Sequence, residues 1–334
     1  MDKTINPTHM NIELTTACPL HCPQCYCSLQ GGKHIPLERA IYWLNEAGKM
    51  GVKHVALSGG ESMCYPHLNE VIKEAAKNGI NSYVATSGAG FTQTTFQGMT
   101  DAGLSGLYIS LNGSTEEINS ITRDGYTHAI NALRLIKTSA YHNVTINWVM
   151  HASNVEDFPN MVDLAETYEV ENIVIIGFKP DAKHEMKVIP SYAQMQWLLN
   201  YIKSRKTSVK IAIESCYSPF RALALDTVLF GNLNIGVYKG CRAGICSFSV
   251  NVDGELTPCR HLDFPERTDT LEEYWTSSKI LTKIRETYSS PSAPCNDCKF
   301  GKNCRHCLAI NNKLHGILQY GYQECPIAAA STSV

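Results

Sequence analysis

From residue 8 to about residue 215, short apolar runs alternate with longer stretches in which apolar residues recur every three or four positions. The runs Asn11–Thr15, Val55–Ser58, Ser82–Thr86, Leu107–Leu111, Thr145–Met150 and Ile173–Gly177 read as strands, with Val209–Glu214 as a last one. Between the first six lie Leu37–Met50, Leu68–Asn78, Thr95–Ala102, His128–Thr138 and Pro159–Tyr168, each with helical spacing. Strand–helix alternation of this kind predicts parallel strands joined by right-handed crossovers. Six units suit an incomplete (β/α)6 barrel; a doubly wound open sheet is the alternative. In either fold, ligands collect at the carboxyl ends of the strands.

After residue 235 the alternation stops and cysteines become dense. Residues 249–256 read as a hairpin turning at Asp253-Gly254, with Cys246 and Cys259 on its flanks. The pattern therefore divides the chain into an α/β domain over 1–215, a linking segment over 216–240 and a small cysteine-built domain over 241–334.

With 334 residues the chain is long enough for one large α/β domain and a smaller one. The 29 Lys and Arg nearly balance the 31 Asp and Glu, with no run of one sign, which argues against nucleic acid or an anionic membrane as partner. The N-terminus lacks the apolar core of a signal peptide, and the apolar runs are too short to span a bilayer. A cytoplasmic location is expected. In that reducing compartment the 14 cysteines are poor disulfide partners and good metal or cluster ligands. Exposed clusters would call for an oxygen-protected setting.

Cys18, Cys22 and Cys25 form a Cys-x3-Cys-x2-Cys run just after the first strand candidate. Three thiolates leave one iron of a four-iron, four-sulfur cluster open, and a small molecule can be held and reduced there. Zinc is the alternative, with Cys27 or His21 as a fourth ligand. The second strand candidate runs into Gly59-Gly60-Glu61, the third into Ser87-Gly88, and the fourth into Ser110-Leu111-Asn112-Gly113.

The cysteine triplet, together with these strand-end motifs, resembles the radical S-adenosylmethionine (SAM) superfamily. The aromatic usual before the third cysteine is replaced by Gln24, and Tyr26 follows instead. The resemblance implies that SAM chelates the open iron and that Gly59, Gly60 and Glu61 contact its amino group. Ser87, Ser110 and Asn112 would serve the rest of SAM, Asn112 replacing the common Asp at the ribose, and Arg123 would clamp the SAM carboxylate.

The C-terminal cysteines resemble the SPASM extension, with the last spacing one residue shorter than usual. That resemblance implies two closed auxiliary [4Fe-4S] clusters: Cys241, Cys246, Cys259 and Cys307 on the first, and Cys295, Cys298, Cys304 and Cys325 on the second. Two zinc ribbons are the alternative. With the SAM-binding cluster this makes three [4Fe-4S] clusters. Cys27, Cys64 and Cys216 remain. Cys216 follows the last strand candidate and is a candidate hydrogen-atom donor to a substrate radical, core packing being the plainer role.

The resemblance further implies reductive cleavage of SAM to a 5′-deoxyadenosyl radical, fed by a flavodoxin- or ferredoxin-type reductant. The expected oxidoreductase activity is oxidative modification of a side chain in a ribosomally made peptide, by a carbon–carbon or thioether crosslink or another oxidation. Arg260 stands where sulfatase-maturing members carry an Asp base, which argues against that chemistry; His261 is a candidate proton acceptor. With the first cysteine at 18, no leader-binding module is expected at this end, so a separate leader-binding protein or the barrel mouth would recognise the peptide. Two other classes stay open: an epimerase or dehydrogenase of a peptide residue or small sugar-like molecule, using Cys216, and a non-catalytic zinc- or cluster-binding scaffold.

Overall fold

The computed structural model describes residues 6–27, 32–139, 141–180, 183–226, 233–234 and 239–331. Ten strands occur among them: β1 (His9–Thr15), β2 (His54–Gly59), β3 (Asn81–Thr86), β4 (Gly106–Ser110), β5 (Val144–Met150), β6 (Asn172–Gly177), β7 (Lys210–Ile213), β8 (Leu233–Asn234), β9 (Ser247–Val250) and β10 (Leu256–Thr257). The helices are α1 (Leu37–Lys49), α2 (Leu68–Lys77), α3 (Gln93–Asp101), α4 (Glu116–Ser120), α5 (Tyr126–Lys137), α6 (Phe158–Thr167), α7 (Tyr192–Ser204), α8 (Ser218–Asp226), α9 (Leu271–Ser277), α10 (Lys279–Ser289), α11 (Leu308–His315) and α12 (Pro326–Ser331). No helix among the described residues is long and apolar enough to cross a membrane.

The chain forms two compact units. The first comprises Met1–Ser110, Arg123–Val144 and Ala243–Arg285; the second comprises Leu111–Thr122, Thr145–Arg242 and Glu286–Val334. The cysteine-rich region is thus divided between them. The segment 216–240, expected to link two domains, carries α8 and β8; its residues 227–232 and 235–238 lie outside the described residues.

In the first unit the strand order is β10-β9-β1-β2-β3-β4. All neighbours are parallel except β10 and β9, the two arms of the predicted hairpin. The hairpin is no separate module: β9 lies parallel to β1, with His9 opposite Ser247 and Ile12 opposite Val250. Alternation fixes which side chains go inward. Met10, Ile12 and Leu14 on β1 and Val55 and Leu57 on β2 are at most 1 % exposed. Ala40, Trp43, Leu44 and Ala47 present one face of α1, and Leu68, Val71, Ile72 and Ala75 one face of α2, so each helix buries a stripe.

The second unit orders its strands β5-β6-β7-β8, all parallel. Ile173 and Ile175 on β6 and Ile211 on β7 are fully buried. A Ser191–Gln194 capping box starts α7, a helix the apolar pattern did not reveal.

Candidate functional site

β1 delivers the chain into the loop bearing Cys18, Cys22 and Cys25. The Cys25 N–H donates to the Cys22 carbonyl at 3.0 Å, so the second and third cysteines share one turn. Burial raises the Cys18 thiol, whereas a hydrogen bond with the Cys27 thiol lowers Cys25 to about 7. The most exposed thiol of the loop is therefore the one most ready to become a thiolate.

The turn after β2 clamps the approach to this loop. The Gly60 N–H donates to the Thr15 carbonyl at 2.6 Å, and the Glu61 N–H to the Ala17 carbonyl at 2.8 Å. A Cβ on Gly60 would land on that Ala17 carbonyl, immediately before Cys18. Glycine is required here by close approach of two backbones.

Glu61 itself is 1 % exposed and already surrounded by donors. Its Oε1 accepts from Met63 N–H at 3.1 Å and from the Thr86 hydroxyl at 2.6 Å. Its Oε2 accepts from Ser87 N–H at 2.7 Å and from the Ser87 hydroxyl. Four donors occupy the roughly four lone-pair positions of a carboxylate. Glu61 therefore ties the end of β2 to the end of β3, and Ser87 is consumed in the same network. Both side chains, expected at SAM from the sequence, are thus bonded to each other and to the strand ends.

Asn112 differs in the same way. It has 0 % exposure, accepts from Val149 N–H at 3.0 Å and donates to the Thr122 hydroxyl at 2.9 Å. Its carbonyl takes the Trp148 indole N–H and the Asn154 amide. The amide organises the turn after residue 110. Gly59, Gly60, Ser110 and Arg123 are all partly exposed, so they remain the accessible members of the expected SAM set.

Arg260 was read from the sequence only as the wrong residue for a base. Within the first unit its Nη1 donates to the Ser58 hydroxyl at 2.7 Å, and its Nη2 lies 3.2 Å from Glu13 Oε1, 3.4 Å from the Gly59 carbonyl and 3.5 Å from the Cys27 thiol. Its guanidinium also sits 5.3 Å from the centre of the Tyr26 ring, whose other neighbour is His261 at 4.1 Å. Tyr26, displaced by two positions from the usual aromatic, is thus pinned by the residues that follow Cys259. Nothing local in the sequence signals a network spanning more than 200 residues.

The remaining cysteines gather by unit. In the second, Cys304 feels Cys325, Cys295 and Cys298, and burial pushes its thiol up to about 12 and that of Cys325 to about 11. The Tyr322 N–H donates to the Cys295 thiol at 3.4 Å. Also in the second unit, Cys241 contacts Cys216, Cys307 and the Tyr288 hydroxyl. Cys246 and Cys259 belong to the first unit. Missed by the sequence reading was Lys179, whose ammonium stands 3.1 Å from Glu214 and beside Cys216 and Cys307.

Among the described residues, no three His, Cys, Asp or Glu side chains are drawn together closely enough to hold a metal ion as they stand. A structural zinc needs four ligands within about 2.3 Å of one point. A four-iron cube carries one thiolate at each of four separate corners, so thiols awaiting it stand wider apart. The all-sulfur donor sets fit iron–sulfur clusters.

Residues 12–165 match the sequence profile described as the Radical SAM superfamily. Residues 12–165 form a radical SAM domain. Its Cys-x3-Cys-x2-Cys loop falls within the matched span. Most of the chain is similar to a PqqA peptide cyclase of Rhodopseudomonas palustris, 26 % identical over 315 residues, covering 88 % of this chain and 80 % of that protein. One from Gluconobacter oxydans is 27 % identical over 313 residues, covering 88 % and 83 %. Among solved structures, Streptococcus suis SuiB bound to S-adenosylmethionine superposes with a TM-score of 0.77 at 18 % identity, covering 96 % of this chain and 77 % of that one. The enzyme anSMEcpe with bound AdoMet gives 0.72 at 15 % identity, covering 98 % and 95 %. These two share the fold of this chain.

Proposed function

We propose that this chain is a cytoplasmic radical SAM oxidoreductase that modifies a side chain of a ribosomally made peptide, forming a carbon–carbon or thioether crosslink or another oxidised product. The observation that carries this reading is the three-thiol loop of Cys18, Cys22 and Cys25, clamped to Gly60 and Glu61 at the strand ends. Similarity to PqqA peptide cyclases along 88 % of the chain supports a peptide as substrate.

Cys18, Cys22 and Cys25 would hold the SAM-binding [4Fe-4S] cluster, with Gly59, Gly60, Ser110 and Arg123 around SAM. Cys241, Cys246, Cys259, Cys295, Cys298, Cys304, Cys307 and Cys325 would hold two auxiliary clusters in a SPASM-type region. Bound there, the cluster and SAM would supply radical chemistry, able to remove a hydrogen that acid–base chemistry cannot reach. The protein's part is positional. Glu61 fixes the Gly59-Gly60 turn, Arg260 fixes Ser58 and the Cys27 end of the loop, and Asn112 fixes the turn after β4.

A flavodoxin- or ferredoxin-type reductant is the partner this reading calls for, and a separate leader-binding protein or the barrel mouth would recognise the peptide. Anaerobic incubation with SAM, dithionite and a candidate precursor peptide tests it. Crosslinking removes two hydrogens, a loss of about 2 Da seen by mass spectrometry, with one 5′-deoxyadenosine per event. An unchanged peptide mass with solvent deuterium incorporated would instead show epimerisation.

A further inference from the structure

A partly open hollow with about 450 Å³ of empty space lies at the carboxyl ends of β6 and β7, where ligands collect in parallel sheets. All of its lining belongs to the second unit. Phe178, Ile189, Pro190, Pro219, Ile310 and Tyr322 make most of the wall apolar or aromatic. Lys179 is the only Lys, Arg, Asp or Glu among the described lining residues. Its ammonium, on a side chain 9 % exposed, donates to Glu214 Oε2 at 3.1 Å and to the Gly177 carbonyl at 3.3 Å. An ammonium has three N–H donors, so one is left over. Tyr217, 8 % exposed, lies over Gly177, where a Cβ would meet its ring at 2.5 Å. Its hydroxyl has no hydrogen-bond partner among the described residues, and neither has Nε2 of His306, a residue 1 % exposed. The Cys307 carbonyl, 3.1 Å from His306 Nδ1, can only accept, so Nδ1 carries the proton and leaves Nε2 of the neutral ring as an acceptor. Buried polar atoms without protein partners call for a ligand or water.

We propose that this hollow seats one apolar residue of the substrate peptide, with a backbone carbonyl of that residue accepting from Lys179. The inference rests on the peptide reading above and names the part of the peptide that is gripped. The wall selects the class. A sugar carries a hydroxyl on nearly every carbon, and the few polar atoms here cannot satisfy them. A carboxylate is disfavoured as well: Glu214 already balances the ammonium, and a second anion would be buried without a cation. A neutral amide meets both conditions. Its carbonyl takes the spare ammonium N–H, and its side chain covers the rings. Tyr217 and His306 then offer one donor and one acceptor to the adjoining peptide groups.

The probe is the N-acetyl amide of photoleucine, an apolar amino acid whose diazirine inserts into whatever it touches under ultraviolet light. It is irradiated anaerobically with the iron-loaded full chain, and mass spectrometry of the digest locates the adduct. Adducts are expected on residues 177–190, 216–219 or 306–326, suppressed about tenfold more strongly by N-acetyl-leucinamide than by N-acetyl-leucine or glucose. Lys179→Met combined with Glu214→Gln, which strands no charge, is expected to weaken labelling about tenfold with an unchanged circular dichroism spectrum. The competition series uses the wild-type chain and decides the question even if the double variant unfolds. Labelling only elsewhere, equal competition by glucose, or labelling indifferent to the double variant would overturn the proposal. So would labelling confined to the iron-free protein, because the hollow would then be room for the cluster beside Cys307. The functional reading fails separately: a labelled hollow with every candidate precursor unmodified keeps the site and sinks the peptide chemistry. A modified precursor with an unlabelled hollow overturns the site alone.

Discussion

Glu61→Gln separates two roles for the same carboxylate. The substitution keeps the shape and replaces one oxygen by NH2. Each oxygen of Glu61 takes one backbone N–H and one hydroxyl: Met63 N–H and Thr86 Oγ1 on one, Ser87 N–H and Ser87 Oγ on the other. The hydroxyls can rotate to become acceptors, but the N–H groups cannot. Whichever way the amide turns, one buried N–H faces another donor, costing about 1–3 kcal/mol. The bonds that survive lose their charge assistance, roughly another 1 kcal/mol. A total of about 3 kcal/mol lowers the thermal midpoint by roughly 3–5 °C for a chain of this size. Scanning calorimetry of the anaerobic protein measures this, and titration calorimetry measures SAM affinity. The expected result is a large loss of stability with less than a tenfold change in SAM affinity. An unchanged midpoint, with SAM binding weakened by on the order of 1.5–3 kcal/mol, would refute the reasoning and put the carboxylate on the SAM ammonium.

Iron analysis of the reconstituted enzyme should find about twelve irons per chain, falling to about eight when Cys18, Cys22 and Cys25 are all replaced, with 5′-deoxyadenosine formation abolished. Gly60→Ala should displace the Ala17 carbonyl and with it Cys18, so the SAM-binding cluster's resonance spectrum should lose its response to SAM while the auxiliary signals persist. Arg260→Ala leaves Glu13 without its cation, with side chains only 13 % and 24 % exposed, and should cost about 3 kcal/mol by chemical denaturation; Arg260→Lys should recover only part, lacking the fork. Asn112→Ala strands the Val149 N–H and should cost about 1–3 kcal/mol of stability, with SAM affinity of the folded protein unchanged by calorimetry.

The strands were legible because most of their inward residues are apolar: Val55 and Leu57, or Ile173 and Ile175, announce themselves by alternation or by a short continuous run. The helices α4, α7 and α8 were not read, and β8, two residues long, offers no period to detect. The strand-end motifs were visible as residue types, since thiols and paired glycines carry their chemistry with them. What their side chains bond to was not. Glu61 is satisfied by residues 25 and 26 positions further on, and Arg260 by residues 201 to 247 positions earlier. Partners at such separations are set by strand order, and strand order leaves no local trace. Cys216 shows the same gap: its contact with Cys241 spans residues outside any pattern the chain displays.

The pairing of β9 with β1 puts a delay into the making of this protein. β1 has β2 on one side and β9 on the other, and the two strands meet only after more than 230 intervening residues exist. At roughly 5–20 residues per second of synthesis, the outer edge of β1 stays bare for about 12–46 s. A bare edge strand is a template for wrong partners. The Cys18–Cys25 loop leaves the end of that same strand, and Arg260, which pins the loop, emerges later still. A chain released short of β9 would therefore carry a complete set of SAM-cluster cysteines on an unsealed sheet. The cell's iron–sulfur machinery would have reason to wait for the last quarter of the chain.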